Sequence, residues 1–589
     1  MKLADYVAIF CRNLGLKHAF VVSGGASLHL IHGIEKLEEI KHICCQHEQS
    51  AAMAADAYSR ITGLTGLAIA SSGPGATNLI TGICGSYYDS IASIFITGQV
   101  STFRMSENQE VRQLGFQETP IVDMVKSITK YSVQIRDPKR IKYELQKAYY
   151  YSRHGRPGPV LIDIPDNIQR SEINVDDLVS FMEEKQNEPN KVIELKVNLD
   201  ILYEELKNAS RPMIIAGWGI HLANQESEFL RLVEKLNIPV ALTWAVSDIL
   251  PFEHPLRVGT FGTHGSRYAN FSVQNADCIL SIGSRLDTKA TGSPARSFAR
   301  DAWKAMNDIS EQEIEKFNNN GVQIDLKLPC DCKDIIKGLL TYPKLSKKEE
   351  WTNKINHWKN KYKIIKERRI TGDFVDPYLF CKNMSRKIGD DSQIWCDTGS
   401  VLAWMMQAFE ARRNQRIWHD FNNTAMGWAL PAVIASKLAK PEMPAYCLVG
   451  DGSIMMNLQE LQTAITYKLN IKIICFDNEG YSMIQQTQDQ WLKSKYIASS
   501  EDGGLKMPNL VLVAESFNYE TRTAFTNEES EAGIEWLSNQ TKPSLLLLKI
   551  DSRCRVSPQV KYGRPNEDPD PLLDRKEFDE EMIIDKFSQ

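Results

Sequence analysis

A short turn between two apolar runs constrains the fold of this chain more than any other feature of its sequence. The run Ala445–Val449 leads into Gly450-Asp451-Gly452-Ser453, and a helix-like segment, Met456–Leu469, follows before a second apolar run, Ile471–Phe476. This order predicts two parallel strands joined by a crossover helix, with Asn478 just beyond the second strand. Open α/β sheets bind ligands at the carboxyl ends of their strands, where these polar residues lie.

The residues of this turn suit a small divalent cation bound to a diphosphate. Gly450 and Gly452 allow the backbone to approach a bulky anion, because neither carries a side chain. Asp451 and Asn478 offer the hard oxygen ligands that Mg²⁺ prefers. A turn rich in glycine and aspartate is also common at strand ends in α/β proteins that bind no cofactor. This segment alone therefore leaves both interpretations open.

Length, net charge, apolar stretches and cysteine spacing limit the classes of protein to which this chain can belong. It has 589 residues, which is too long for one core, and its net charge of −5 gives no support for nucleic-acid binding. No apolar stretch is long enough to span a membrane, and the start lacks a secretory apolar core. We therefore expect a cytoplasmic protein with no membrane partner. Its 12 cysteines lack the spacing of a zinc knuckle or redox pair, which predicts reduced thiols.

Alternating apolar runs and helical patterns predict an α/β protein of three doubly wound parallel-sheet domains. The expected boundaries are 1–180, 191–340, an exposed helical connector at 341–375, 376–553, and a tail at 554–589 that lies over the surface. The polar segment 181–196 is the expected linker between the first two units. No sequence repeat relates the first unit to the third, so any duplication would be structural only.

Strands are predicted from the short apolar runs in each unit. They are Ala19–Val22, Leu67–Ala70, Ile94–Thr97, Val160–Ile164, Met213–Ala216, Val240–Thr243, Cys278–Ile282, Gln393–Cys396, Ala445–Val449, Ile471–Phe476 and Ser544–Lys549.

A carboxylate at the start of a predicted helix is the second informative feature. Glu48, in His47-Glu48-Gln49, follows the apolar run Ile43–Cys45. The helix dipole favours a carboxylate there, which is the ordinary explanation. Its place at a strand end also predicts poor hydration, which would raise its pKa and keep it protonated near neutrality. A protonated carboxyl can donate a hydrogen bond to a ring nitrogen.

Several strings of this sequence together resemble enzymes that depend on thiamin diphosphate. The GDG string at 450–452 with the later Asn478 matches their diphosphate motif, and Glu48 matches the glutamate that activates the cofactor through its pyrimidine ring. Ser71-Ser72-Gly73-Pro74-Gly75-Ala76-Thr77-Asn78 and Arg156-Pro157-Gly158-Pro159-Val160 match strings of the acetolactate synthase branch. The chain therefore resembles the acetolactate synthase-like family from about residue 1 to 550.

The resemblance implies roles for particular residues. Mg²⁺ would be held by Asp451, Asn478 and the backbone carbonyl of Gly480. Met426, at the start of an apolar helix, would be the wedge that bends the cofactor, although a methionine there is more often plain core. Phe116 and Gln117 would line the active site. The other implied cofactor contacts are Gly24, Gly25, Pro74, Asn78, Thr398, Gly399, Ser400, Thr424, Gly450, Gly452, Ser453 and Tyr481.

The central unit resembles the FAD site of acetolactate synthases. Single glycine turns mark many strand ends, but the ordered set favours bound FAD, with a structural role because carboligation transfers no net electrons. The implied FAD contacts are Arg156, Gly217, Gly219, Thr243, His264, Gly283, Arg285, Asp287, Lys289, Asp308 and Asp331.

This chain departs from the housekeeping synthases in three places. Lys289 stands where they carry arginine, so a compact ammonium charge replaces a planar guanidinium that can bind a carboxylate through two N–H groups. Thr487, within Gln485–Gln488, lies in the segment that holds their substrate-packing tryptophan, which predicts a wider and more polar space. The proline-rich tail is more similar to homologues that act on sugar nucleotides.

The resemblance implies a carboligase that decarboxylates a 2-keto acid, pyruvate first among the candidates. The resulting two-carbon unit would pass to a second carbonyl compound, a keto acid or a keto-sugar nucleotide. A non-oxidative 2-keto acid decarboxylase is the alternative, although the region of Phe116 lacks the paired histidines of such enzymes. A cofactor-binding regulatory subunit would have lost Glu48 or the metal ligands. Family relatives build their sites across subunits, which implies a homodimer or homotetramer.

Overall fold

The computed structural model describes residues 1–106, 108, 110–182, 189–367 and 373–587. Within these residues the chain forms three sheets of six strands each. All strand pairs in the three sheets are parallel. Helices connect most successive strands and pack on the sheets, so the predicted α/β class is confirmed.

The strands of the N-terminal sheet are β1 (His18–Val21), β2 (Lys41–Cys44), β3 (Gly66–Ala70), β4 (Ser93–Gln99), β5 (Tyr131–Gln134) and β6 (Val160–Pro165). Those of the central sheet are β7 (Pro212–Ala216), β8 (Val240–Leu242), β9 (Arg257–Thr260), β10 (Cys278–Ile282), β11 (Trp303–Asn307) and β12 (Leu326–Leu328). Those of the C-terminal sheet are β13 (Gln393–Cys396), β14 (Arg416–Trp418), β15 (Ala445–Gly450), β16 (Lys472–Asp477), β17 (Glu520–Ala524) and β18 (Ser544–Lys549).

The helices of the N-terminal unit are α1 (Leu3–Asn13), α2 (Leu28–Glu35), α3 (Glu48–Thr62), α4 (Pro74–Thr77), α5 (Ile80–Tyr88), α6 (Ile121–Val125), α7 (Ile141–Arg153) and α8 (Asp166–Gln169). Those of the central unit are α9 (Pro189–Asn208), α10 (Gly219–Leu222), α11 (Glu226–Leu236), α12 (Arg267–Gln274), α13 (Thr288–Thr291), α14 (Glu311–Glu315) and α15 (Cys332–Leu339). The remainder are α16 (Glu349–Lys361), α17 (Ile364–Glu367), α18 (Pro377–Lys387), α19 (Ser400–Ala408), α20 (Ala429–Ala439), α21 (Asp451–Ile454), α22 (Glu460–Thr466), α23 (Ser482–Trp491), α24 (Leu510–Ser516), α25 (Asn527–Ser538) and α26 (Arg575–Glu581).

The N-terminal and C-terminal sheets share one topology. Their strand orders are β2-β1-β3-β4-β6-β5 and β14-β13-β15-β16-β18-β17, which are the same order when strands are counted from β1 and from β13. The central sheet has the different order β12-β11-β10-β7-β8-β9. The two outer units therefore share a topology, although no sequence repeat relates them.

Helix α3 packs against α20 and joins the N-terminal unit to the C-terminal unit. Its alanines, Ala51, Ala52, Ala54, Ala55 and Ala57, are fully buried and allow the two helices to approach closely. Small side chains at a helix interface favour this close approach because they leave room for the facing backbone.

A buried ion cluster lies at the same junction. Arg60, on α3, pairs with Asp56 at 2.7 Å and with Asp89 at 2.8 Å. Its remaining amino group donates to the carbonyl oxygen of His419, in the C-terminal unit, at 3.1 Å. A buried guanidinium needs this full set of acceptors, because an unpaired charge in the interior is strongly destabilising.

Two segments predicted to be exposed connections differ from the prediction. Helix α9 begins at Pro189, so the predicted linker 181–196 is wrong in its second half, while 183–188 lie outside the described residues. The predicted connector is not an exposed helix, because Trp351, Ile355 and Trp358 of α16 are buried against the central unit. Their spacing places them on one helical face, and the numerous lysines hid that stripe.

Two further predictions need correction. The helix expected at Met456–Leu469 is shorter, since α22 covers only Glu460–Thr466. The tail does not merely lie over the surface, because Val556, Glu567 and Phe578 are buried. The structure ties this tail to the central unit through the ion pair of Arg300 with Glu567 at 2.8 Å.

We expect Glu581→Gln to loosen the tail. Burial raises the pKa of Glu581, but hydrogen bonds from His357, Lys354, Lys361 and Trp358 outweigh burial and hold the pKa below its usual range. The loss should be about 1–3 kcal/mol of unfolding free energy at pH 7. Because the folded pKa is depressed, the difference should shrink as pH falls below about 4, where the carboxylate of the unfolded chain is already protonated.

The measurement is urea unfolding with limited proteolysis of the tail, and Glu580→Gln at the exposed neighbouring position is the control. Equal protease resistance and equal midpoints in Glu581→Gln and the control would contradict this account of tail anchoring.

Candidate active site

The predicted diphosphate turn lies where two adjacent strands end. Strand β15 ends at Gly450, and Asp451 begins α21 with its side chain buried. One carboxylate oxygen accepts from the backbone N–H of Gly452 at 2.8 Å, and the other accepts from the N–H of Gly480 at 3.0 Å. Asn478 follows the neighbouring strand β16. The structure therefore brings the three predicted metal-binding residues together.

The electrostatics at this turn fit a divalent cation. Burial, with the neighbouring carboxylate of Asp477, raises the pKa of Asp451 to about 7. The side-chain oxygen of Asn478 is buried and has no hydrogen-bond partner among the described residues. A cation between these oxygens would favour the ionised aspartate and satisfy the amide oxygen. The described part of the chain has no group of three or more His, Cys, Asp or Glu side chains that could hold a metal, so a cation here would depend on one carboxylate with amide and backbone oxygens.

A helix start beside this turn could hold phosphate groups. Gly399 has φ 90°, and Ser400 begins α19 with a buried hydroxyl that lacks a partner in the described residues. Free N–H groups at a helix start attract anions. Thr398 precedes them at the end of strand β13, so all three predicted contacts lie on one strand-to-helix turn.

Sequence reasoning missed Asp397, which organises this region. Its buried carboxylate accepts from the backbone N–H groups of Gly427 and Ala429, each at 3.1 Å, and from the Ser453 hydroxyl at 3.0 Å. Burial raises its pKa to about 6, despite the hydrogen bonds that lower it. The available signal was an acidic residue directly after an apolar strand, the same pattern that revealed Asp451.

Glu48 begins α3, as predicted, and points toward the glycine loop of the same unit. Its carboxylate accepts from the side-chain amide of Asn78 at 2.9 Å. A Cβ atom at Gly75 would lie 3.3 Å from it, so the loop backbone packs close to the carboxylate. The side chain is partly exposed in the single chain, which does not by itself provide the poor hydration that we expected.

Glu460 supports the start of this helix from the C-terminal unit and was missed in the sequence. Its buried carboxylate accepts from the backbone N–H groups of Gln46 at 2.9 Å and His47 at 3.2 Å. Asn457 accepts nearby from the hydroxyl of Ser50 at 2.9 Å. These bonds attach the N-terminal end of α3, where Glu48 lies, to the segment that follows the diphosphate turn.

Met426 lies in a turn before α20, which begins at Ala429, so its predicted place at a helix start is wrong. Its side chain is partly exposed. Thr424 has φ 53° and Gly427 has φ 84°. A Cβ atom on Gly427 would come within 2.8 Å of Met456, so the left-handed turn and the tight packing both require glycine there.

The glycine loops of the N-terminal unit pack closely. A Cβ atom on Gly24 would lie 2.5 Å from the Ser71 side chain, so only glycine fits. Gln117 has φ 64°, and its side chain packs over Gly73, next to Pro74. Phe116 is 86% exposed, so no described residue of this chain covers it.

The predicted FAD contacts gather around one cavity between the three units. All of them line it except Gly217, whose missing side chain instead lets strand β7 approach Ser284, where a Cβ would meet atoms at 2.4–2.6 Å. The N-terminal and C-terminal units complete the wall with Tyr88, Asp89, Ser90, Arg153, Phe421 and Asn422, among others.

Several buried nitrogen atoms of residues on this wall lack a hydrogen-bond partner. Arg156 Nε, Trp218 Nε1 and His264 Nδ1 are buried and have no hydrogen-bond partner among the described residues. Arg156 also pairs with Asp308 across the cavity wall. Buried polar groups are normally satisfied, so unpaired donors in a cavity fit a polar ligand with several acceptors.

The glutamines around Thr487 are structural. Gln485 donates to the carbonyl oxygen of Ser499 at 2.7 Å, and Gln488 donates to that of Ile497 at 2.8 Å. Gln486 bonds to the backbone of Val556 in the tail. Thr487 is the partly exposed member of the group, so the wider space that we predicted depends on this residue.

Comparison with known proteins places the chain in a family. Residues 1–124, 199–339 and 397–547 match profiles described as the N-terminal TPP binding domain, the central domain and the C-terminal TPP binding domain of thiamine pyrophosphate enzymes. The chain belongs to the thiamine pyrophosphate enzymes. Thiamine pyrophosphate is the thiamin diphosphate of the sequence prediction, so the predicted family is confirmed, with thiamin diphosphate as its cofactor.

The curated relatives of this thiamine pyrophosphate enzyme include acetolactate synthase large subunits. That of Lactococcus lactis is 31% identical over 94% of this chain and 93% of its own length. A probable acetolactate synthase large subunit of Methanocaldococcus jannaschii is 31% identical over 96% and 94%. The isozyme 1 large subunit of Escherichia coli is 29% identical over 96% of each. No helix among the described residues is long and apolar enough to cross a membrane.

We expect Asp451→Asn to abolish the stabilisation of this protein by Mg²⁺ with thiamin diphosphate. The substitution removes the charge of a buried carboxylate and places an amide N–H₂ against a backbone N–H group. The measurement is the thermal shift produced by both ligands together. Asp502→Asn, at an exposed position of the same unit, should keep the full shift. A normal shift in Asp451→Asn would contradict this assignment.

Proposed function

We propose that the protein is a thiamin diphosphate- and Mg²⁺-dependent carboligase. It removes carbon dioxide from a 2-keto acid, for which pyruvate is the first candidate. It then transfers the remaining two-carbon unit to a second carbonyl compound. The acceptor is a keto acid or a keto-sugar nucleotide. The observation that carries this proposal is that one chain has both Glu48, held by Asn78 in the N-terminal unit, and a turn in the C-terminal unit where Asp451 and Asn478 come together. Acetolactate synthases are among the relatives of this chain.

Within this proposal, each residue has a defined task. Asp451, Asn478 and the Gly480 carbonyl hold Mg²⁺, while the turn at Ser400 binds the diphosphate. Glu48 holds a proton against the pyrimidine ring, and Asn78 orients its carboxylate. When bound, thiamin diphosphate supplies an electron sink for the carbon that loses the carboxylate.

The residues around the substrate space favour ligation over simple release. Gln117 is held over the glycine loop and can contact the keto acid. A decarboxylase must protonate the two-carbon unit, and the segment of Phe116 and Gln117 offers no histidine for that step. A non-catalytic regulatory subunit is disfavoured because Glu48, Asp451 and Asn478 are all present.

We also assign FAD to the cavity between the three units. The buried nitrogen atoms of Arg156, Trp218 and His264 that have no partner in the described part of the chain suit a dinucleotide, which offers many polar groups. Lys289 keeps a positive charge on the wall in place of the family arginine. The role of FAD in this proposal is structural.

We propose that the active protein is a homodimer or a larger homo-oligomer. Large apolar side chains are exposed near the proposed site on both outer units, including Phe103, Leu114 and Phe116 on one and Ile484 and Trp491 on the other. A second copy would cover such a surface, and it would remove water from Glu48. That burial would provide the poor hydration that the single chain lacks.

We expect Glu48→Gln to reduce turnover of pyruvate by at least about a hundredfold, the lower range for losing a general acid–base. The substitution keeps the size of the side chain and its contact with Asn78 but removes the titratable proton. The assay supplies thiamin diphosphate, Mg²⁺ and pyruvate and measures carbon dioxide and products. Acetolactate or an acceptor-dependent adduct supports ligation, whereas acetaldehyde alone would support the decarboxylase. No turnover with any acceptor would exclude pyruvate as donor.

Mixing Glu48→Gln with Asp451→Ala protein should restore part of the activity if each site combines two chains. A mixed dimer then contains one site with both intact residues. Size-exclusion chromatography with light scattering checks that mixed assemblies form. Full assembly without any recovery would show that each chain builds its own site.

A further inference from the structure

A chain of side-chain amides connects the tail to the wall of the central cavity. Gln559, in the tail, lies beside His264, with Nε2 of the two residues 3.0 Å apart. The backbone holds this contact in place, because the N–H of Val560 donates to the Thr263 carbonyl at 2.8 Å and Gln559 pairs with Asp570 in an antiparallel bridge.

The direction of the hydrogen bonds from Gln486 through Gln559 to His264 follows from one backbone N–H group. The N–H of Val556 can only donate, and it reaches the side-chain oxygen of Gln486 at 2.9 Å. The other end of that amide must therefore be the NH₂ group, which donates to the Val556 carbonyl at 2.8 Å and to the side-chain oxygen of Gln559. Gln490 donates to the same Gln559 oxygen at 3.2 Å.

The oxygen of Gln559 is thus occupied by two donors, so its NH₂ group faces His264. An amide NH₂ can only donate, so Nε2 of His264 must accept and carry no proton. Burial and the nearby Lys289 lower the pKa of His264 to about 3, which keeps the ring neutral. The single ring proton therefore sits on Nδ1, a buried atom that has no partner among the described residues, and the His264 side chain lines the cavity.

We propose that Gln559 is a positioning residue that fixes His264 as a hydrogen-bond donor through Nδ1–H into the central cavity. The ligand of this cavity therefore presents an acceptor, a carbonyl oxygen or an unprotonated ring nitrogen, at that point. The identity of the ligand as FAD rests on the proposed function, whereas the tautomer of His264 does not. The tail thereby connects α23, which carries Thr487, to the wall of the cavity.

The first test reads the tautomer directly in the full-length protein without FAD. Long-range ¹H–¹⁵N spectra of ¹⁵N-histidine protein distinguish Nδ1–H from Nε2–H, and His264→Gln assigns the signal among the 11 histidines. We expect the Nδ1–H form alone between pH 6 and 8. A proton on Nε2 in the wild-type protein would overturn the proposal.

Gln559→Glu is the sharpest variant, because it is nearly isosteric and exchanges only the donor for an acceptor. Its first oxygen can still accept from Gln486 and Gln490, while its second oxygen should draw a proton onto Nε2 of His264. Gln540→Glu is the matched control, since the NH₂ group of Gln540 also donates one hydrogen bond, in its case to the backbone carbonyl of Trp536 in the C-terminal unit. An unchanged His264 spectrum in Gln559→Glu would contradict the proposal that Gln559 fixes the tautomer of His264. If that variant does not fold, Gln559→Met and the wild-type spectrum decide the same point.

The second test measures FAD affinity and the absorption spectrum of the bound flavin in the same variants. We expect Gln559→Glu to change the affinity at least about threefold and to shift the flavin band, while Gln540→Glu changes neither. A tautomer change with unaltered flavin binding would overturn the acceptor assignment. If FAD does not bind the wild-type protein but its His264 carries Nδ1–H, the FAD assignment fails and the role of Gln559 stands.

Discussion

The buried guanidinium of Arg60 is the constraint on which the arrangement of the outer units depends. It sits on α3 and is neutralised by Asp56 and Asp89 of its own unit, while a carbonyl of the C-terminal unit completes its shell. Removing any of these partners would leave an unpaired charge or N–H donor in the interior, which costs about 3–5 kcal/mol for a broken buried ion pair. The same helix carries Glu48 at its other end, so this cluster and the contacts of Glu460 set where the proposed catalytic carboxyl lies.

Much of the fold was readable because buried parallel strands are continuous apolar runs. Interior strands such as β10, β13 and β18 were predicted with their observed bounds. Most edge strands were missed, because strands such as β5 and β17 are only half-buried and carry polar side chains that break the apolar signal. The tryptophan stripe of α16 was hidden for a related reason, since charged residues surround it in sequence.

Site residues could be predicted from the sequence where the residue type and its position after a strand indicate a ligand or an acid. Asp451 and Asn478 follow neighbouring strands, so their convergence follows from parallel topology alone. Asp397, Glu460 and Gln559 could not be assigned in this way, because their roles depend on which backbone groups reach them in three dimensions. Hydration of Glu48 also escapes prediction, since it depends on surfaces that the single chain leaves open.

The shared strand order of the two outer units has a consequence for where the proposed site can form. All strands in both sheets are parallel, so each sheet gathers the residues that follow its strands at one edge. In the proposed mechanism, Glu48 of the first unit handles the proton, and Asp451 with Asn478 of the third unit holds the cation. Division of labour between two units of one topology, rather than elaboration of one pocket, therefore accounts for why the residues of one proposed reaction lie more than 400 positions apart in the sequence.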